Sequence, residues 1–129
     1  MRWAAAVLEA VPPLRRAPPL IGRRKIQDLI DWAEEDHAER LHVGDLATFC
    51  GLGMRALEKN LRRYLDTTPA AFLRELRLEN ARKLLAAGGR SVTEAAFDAG
   101  FVHLGHFAAA YRRKFGELPG ATAARSAGT

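Results

Sequence analysis

Two stretches of this chain repeat one another about fifty residues apart, and any fold must accommodate both copies. The first runs Val43-Gly-Asp-Leu-Ala47, then Gly51, Leu57, Leu61-Arg62-Arg63 and Pro69. The second runs Val92-Thr-Glu-Ala-Ala96, then Gly100, Phe107, Tyr111-Arg112-Arg113 and Pro119. Gly51 pairs with Gly100 at an offset of 49 and Pro69 with Pro119 at an offset of 50, so one residue is inserted just after the turn. Each copy reads as a short helix, a glycine turn and a second helix with a basic outer face, which is the helix-turn-helix pattern. Two such units on one chain make sequence-specific DNA binding the leading expectation.

The charge distribution points the same way. The 129 residues suit one domain or two small ones, and the formal charge of +5 favours an anionic partner. Residues 1–40 carry seven basic and seven acidic groups, whereas residues 41–129 carry thirteen and eight, so the excess lies in the repeated region. A single cysteine, Cys50, excludes an internal disulfide framework and a Cys-based zinc site, and its apolar position predicts a small buried side chain. The prolines at 12, 13, 18 and 19, with Glu9, break the apolar start, which fits neither a membrane span nor a signal peptide; a cytoplasmic location is expected.

Helical periodicity and caps divide the chain further. Trp3–Val11 has room for two helical turns, and Pro12–Gly22 is a Pro/Arg-rich connector, so residues 1–23 read as a remnant helix and linker. Ile26, Leu29, Ile30 and Ala33 predict an amphipathic helix over about Arg24–Glu39 with a strongly acidic outer face. Helices are expected at Val43–Cys50 and Met54–Leu65 around the Gly51-Leu52-Gly53 turn, the latter buried along Leu57, Leu61 and Tyr64 or Leu65. Thr68 caps a long helix that starts at Pro69 and stops at Gly88-Gly89. Ser91 and Glu94 form a capping box for a helix over Val92–Ala99, and the last helix runs about His106–Phe115. The expected organisation is all-α: a first unit at 24–66, a linker helix at 69–86, a second unit at 91–119 and a disordered tail at 120–129.

At Leu46-Ala47, Thr68-Pro69-Ala-Ala-Phe72-Leu73-Arg74, Leu76-Arg77-Leu78-Glu79-Asn80-Ala81-Arg82 and Lys83-Leu84-Leu85 the chain resembles the DNA-binding domain of the AraC/XylS family of bacterial transcription regulators. The likeness continues through Gly100-Phe101 and Phe115-Gly116 to Pro119 and spans roughly residues 24–119. It implies two homeodomain-like, three-helix subdomains bridged by the long helix. Pro69–Leu85 amounts to about 25 Å of helix at 1.5 Å per residue, against about 34 Å between successive major grooves on one DNA face. One chain is therefore expected to read two adjacent grooves asymmetrically, so that a monomer suffices.

Leu57 and Leu61 fix the inner face of helix 54–65, which leaves Arg55, Glu58, Lys59 and Arg62 together outside. The resemblance places Arg55, Glu58 and Lys59 at base-contacting positions. Arg55 and Lys59 suit guanine acceptors and Glu58 a cytosine amine, while Arg62 and Arg63 are better placed for phosphates. Helix 106–115 departs from the family: Gly105 stands where relatives have a serine cap, and Ala109 where they usually have an arginine. The resemblance makes Leu104, Gly105, His106, Ala108 and Ala109 its groove-facing positions, with His106 the one polar base contact. Arg112, Arg113 and Lys114 remain for the backbone, and Ser91 begins a helix whose N-terminal amides suit a phosphate. Alanines can touch thymine methyl groups and little else. The first unit is thus expected to supply most base specificity, and the second mainly to anchor.

His103 and His106 lack a third nearby ligand, so no metal and no cofactor are expected. The sequence carries no phosphate loop, no nucleophile beside a base and no paired carboxylates in a plausible cleft, which argues against an enzyme. The family role implies an activator with double-stranded DNA as partner and RNA polymerase as a candidate second one, and no membrane. The alternative is a protein-protein interaction module or decoy with weak DNA specificity, favoured by the alanine-rich second helix and the acidic face of Asp28–Glu39.

Overall fold

The structure, a computed structural model, describes residues 20–35 and 38–127. The helix expected at Trp3–Val11 and most of the linker lie outside them. Seven α-helices are found among the described residues: α1 (Arg23–Glu35), α2 (Val43–Cys50), α3 (Met54–Leu65), α4 (Pro69–Ala87), α5 (Val92–Asp98), α6 (Leu104–Phe115) and α7 (Pro119–Ala127). A 3-10 turn covers Ala38–Arg40, and no strand is present among these residues. The chain divides into two compact units. One holds α1, α2, α3 and the first turn of α4 through Leu73; the other holds the Ala38–Arg40 turn and everything from Arg74 onward.

In the first unit α1, α2 and α3 pack on one another around Leu29, Leu46, Leu57 and Leu61, all fully buried. Ile26, Ala33, Ala47 and Cys50 complete the inner stripes at helical spacing, and burial pushes the Cys50 thiol pKa up. Trp32 stacks on Phe49 with ring centroids 4.5 Å apart, and the Lys25 ammonium sits over the Phe49 ring. Asn60 is buried but satisfied. Its Nδ2 donates to the Ala56 carbonyl, and its Oδ1 accepts the Ile21 amide, each at 2.7 Å, which ties the incoming chain to α3. The first helix ends at Glu35, short of the expected Glu39.

In the second unit Leu78, Ala81 and Leu85 of α4 meet Ala95, Ala96 and Ala99 and the aromatic pair Phe107 and Tyr111 of α6. Phe101, Phe107, Tyr111 and Phe115 form a chain of tilted ring contacts with centroids 4.6 to 5.6 Å apart. Arg77 Nε donates to the Ala38 carbonyl at 3.1 Å, so the short 3-10 turn rests on α4.

The tail is the main departure from expectation. Residues 120–127 belong to α7, not to a disordered segment. Pro119 is buried at the first helical position, as Pro69 is fifty residues earlier, so the repeat continues one helix further than the conspicuous motif suggests. Polar contacts hold the helix down. The Tyr111 and Thr122 hydroxyls share a buried hydrogen bond at 2.7 Å, Thr122 donates to Glu117, and Arg125 bonds the same carboxylate through both terminal nitrogens. Ser126 donates to the Ala86 carbonyl at 3.0 Å.

These bonds from Arg125 and Thr122 hold the Glu117 carboxyl down to about 2, against an ordinary value of 4.5. A carboxylate depressed by folding contributes stability above its unfolded pKa, and that stability is lost as pH falls through the folded value. Acidification between about pH 4.5 and 2 is therefore expected to loosen α7. Amide exchange over Ala121–Ala127 should speed up in that window, and Glu117→Gln should flatten the response.

Candidate nucleic-acid interface

The two helix-turn-helix elements are built by the same local devices. A capping box opens each first helix: the His42 amide donates to the Asp45 carboxylate at 2.8 Å, and the Ser91 amide donates to Glu94 at 2.9 Å. The turns close alike, with Leu52 N–H on the Ala47 carbonyl and Phe101 N–H on the Ala96 carbonyl, both at 2.9 Å. Gly51 at φ 68° and Gly100 at φ 99° take the left-handed backbone that these turns require. α3 and α6 then start fifty residues apart, at Met54 and Leu104, and end on the left-handed caps Asp66 and Gly116.

On α3, burial of Ala56, Leu57, Asn60 and Leu61 leaves Arg55, Glu58, Lys59, Arg62 and Arg63 exposed, as the spacing predicts. The side chains of Arg55, Glu58 and Lys59 make no hydrogen bond or ion pair with any described residue, so their donors and acceptors point to solvent. Arg62 reaches Asp66 at 3.2 Å, an exposed pair that competes weakly with an external anion. α3 thus presents a polar, cation-rich strip about two and a half turns long.

α6 starts at Leu104, two residues before the expected His106. His103 is its N-cap, so Gly105 lies at the second helical position and not at the cap. The fifty-residue register aligns the sequences of the two helices. Arg55, Glu58 and Lys59 correspond to Gly105, Ala108 and Ala109, while Arg62 and Arg63 correspond to Arg112 and Arg113. The second copy keeps the paired arginines and has lost the polar triad. His106 is exposed, but its counterpart is the buried Ala56, so it stands on the flank of the strip; its ring tilts against His103 at 5.3 Å.

Lys114 is not placed as expected. Its ammonium is held by Glu75 at 3.1 Å and Glu79 at 3.6 Å, both on α4, and its side chain is only 24% exposed. These carboxylates neutralise it inside the unit, leaving Arg112 and Arg113 as the outward cations of α6. Ser91 is committed to its cap: Oγ accepts the Glu94 amide at 3.0 Å, and the Glu94 carboxylate covers the Ser91 amide. Those bonds lower the Glu94 pKa and hold a negative charge at the N-terminal end of α5, which opposes an anion there.

The register between the repeats was the signal for what sequence reasoning missed. Applied from Met54 it places the start of α6 at Leu104, and applied from Pro69 it places α7.

Comparison with known proteins bears on this arrangement. A family model described as a helix-turn-helix domain matches residues 46–125. The HTH-type transcriptional activator RhaS of Escherichia fergusonii is 37% identical over 95 residues, covering 74% of this chain and 34% of that protein. The XylDLEGF operon transcriptional activator of Pseudomonas putida is 36% identical over 104 residues, covering 78% and 32%. The chain therefore spans about a third of the length of these curated relatives. Among solved structures, a Chromobacterium violaceum transcriptional regulator with an AraC-type DNA-binding domain superposes with a TM-score of 0.73 at 31% identity, covering 81% of this chain and 94% of that one. The DNA-binding domain of the global transcriptional factor AdpA, solved in complex with a target DNA, superposes at 0.68 with 27% identity, covering 78% and 91%.

Proposed function

The chain belongs to the AraC/XylS family of transcription regulators, and from that premise we propose that it binds double-stranded DNA as an activator, with α3 and α6 entering successive major grooves. The observation that carries this reading is the exposed triad Arg55, Glu58 and Lys59, unpartnered within the described residues and flanked by Arg62 and Arg63. Arg55 pairs with guanine O6 and N7, Lys59 donates to neighbouring acceptors, and Glu58 accepts from a cytosine amine. Arg62, Arg63, Arg112 and Arg113 neutralise phosphates, with Ser91 as a weaker contact. His106 offers the second unit one hydrogen bond to a base from the flank of α6.

On this reading the protein performs no chemistry of its own and works in the cytoplasm, with RNA polymerase as the partner through which bound protein acts. No helix among the described residues is long and apolar enough to cross a membrane. The test is fluorescence anisotropy with a labelled duplex obtained by selection. Glu58→Ala is expected to relax the preference for cytosine at one position without weakening binding to unrelated duplexes. A preference that persists in Arg55→Ala, Glu58→Ala and Lys59→Ala alike would remove the triad from base reading.

A further inference from the structure

We infer, building on the DNA-reading role above, that the second unit recognises thymine methyl groups through Leu104 and Val102, where the first unit recognises polar base edges. Leu104 is the first residue of α6 and is 38% exposed, and Val102 in the turn before it is 76% exposed. Large apolar side chains left in water cost solvation free energy, and nothing in the core of this unit takes them up. Their place in the fold is informative, because the N-terminal residues of a recognition helix are those that touch base edges. Met54, the counterpart of Leu104, is also exposed, at 39%, but it stands beside Arg55, Glu58 and Lys59. Beside Leu104 stand Gly105, Ala108 and Ala109, which offer no side-chain hydrogen bond.

Charge selects the occupant. Arg112 and Arg113 lie on the same helix about two turns beyond Leu104, exposed and without an ion-pair partner among the described residues, so the helix that starts with the apolar residue carries cations that suit a phosphate backbone. The thymine C5 methyl is the apolar group that a base pair shows in the major groove. Leu104 or Val102 against a guanine or cytosine edge would strip water from donors and acceptors and leave them unpaired, so such pairs are disfavoured.

The experiment uses the intact chain and a selected duplex. Arg55→Ala first assigns one sequence block to the first unit. Thymines of the other block are then replaced by deoxyuridine, which lacks only the methyl group. Each contacted methyl is expected to be worth about fourfold in affinity, with no such loss from uridine in the block read by Arg55. Val102→Ala, at a position outside the core, is expected to remove part of the uridine sensitivity without lowering thermal stability. Equal affinity for the thymine and uridine duplexes overturns thymine reading while leaving DNA binding in place. A uridine loss undiminished in both Val102→Ala and Leu104→Ala also overturns it, by placing the methyl contact elsewhere. Failure to bind any duplex overturns this inference and the DNA-reading role together.

Discussion

Raising monovalent salt from 50 to 200 mM is expected to weaken duplex binding about 150-fold. The four outward arginines Arg62, Arg63, Arg112 and Arg113 set the expectation. Each phosphate they neutralise releases condensed counterions, and a slope of about −0.9 per phosphate gives roughly −3.6 in log affinity against log salt. Arg112→Gln and Arg113→Gln should each make the slope shallower by about 1, equally for all sequences. Lys114→Gln should leave the slope unchanged, because Glu75 and Glu79 already neutralise that ammonium. Anisotropy titrations at four or five salt concentrations read all three slopes. A steep loss of slope in Lys114→Gln would mean that the ammonium leaves its carboxylates for DNA.

Arg55→Ala is expected to cost about 1–3 kcal/mol at a single base pair and to relax the preference there. Because Arg55 is exposed and bonds no other described residue, its removal should shift folding stability by no more than about 0.5 kcal/mol. Loss of discrimination without loss of melting temperature separates a base contact from a structural one. His106→Ala is expected to have a smaller effect, since the histidine sits beside the strip and not at its centre. If Arg55→Ala kept the preferred sequence while His106→Ala changed it, the division of labour between the two units would be inverted.

The first unit was legible residue by residue. The left-handed glycine and the Leu57/Leu61 stripe are local signals, and they placed α2 and α3 and the outward triad where the structure has them. α4 was equally legible from Thr68, Pro69 and the Gly88-Gly89 stop. The second unit was harder beyond α5, which its Ser91 and Glu94 capping box marks, because the other signals are not local. α6 starts at Leu104 with no side-chain cap to mark it, since His103 makes no capping bond. α7 is rich in alanine and small polar residues, and reads as a tail until Thr122 is seen bonded to Tyr111 eleven residues away. The fate of Lys114 depends on Glu75 and Glu79, thirty-nine and thirty-five positions earlier, which no spacing rule on its own helix brings into view. Composition left the second recognition helix with His106 as its one polar base contact and with alanines that touch little beyond thymine methyl groups. Exposure of Leu104 and Val102 shows an apolar surface as well.

The central claim is that two unlike helix-turn-helix units of one chain read DNA, the first by polar base contacts and the second by apolar contacts and phosphate anchoring. Selection of bound duplexes from a random library at near-physiological salt, followed by sequencing, tests it most directly. The account predicts an asymmetric site with two blocks about ten base pairs apart, the stronger one lost in Arg55→Ala. A pool without enrichment, retained only through salt-sensitive general binding, would contradict it.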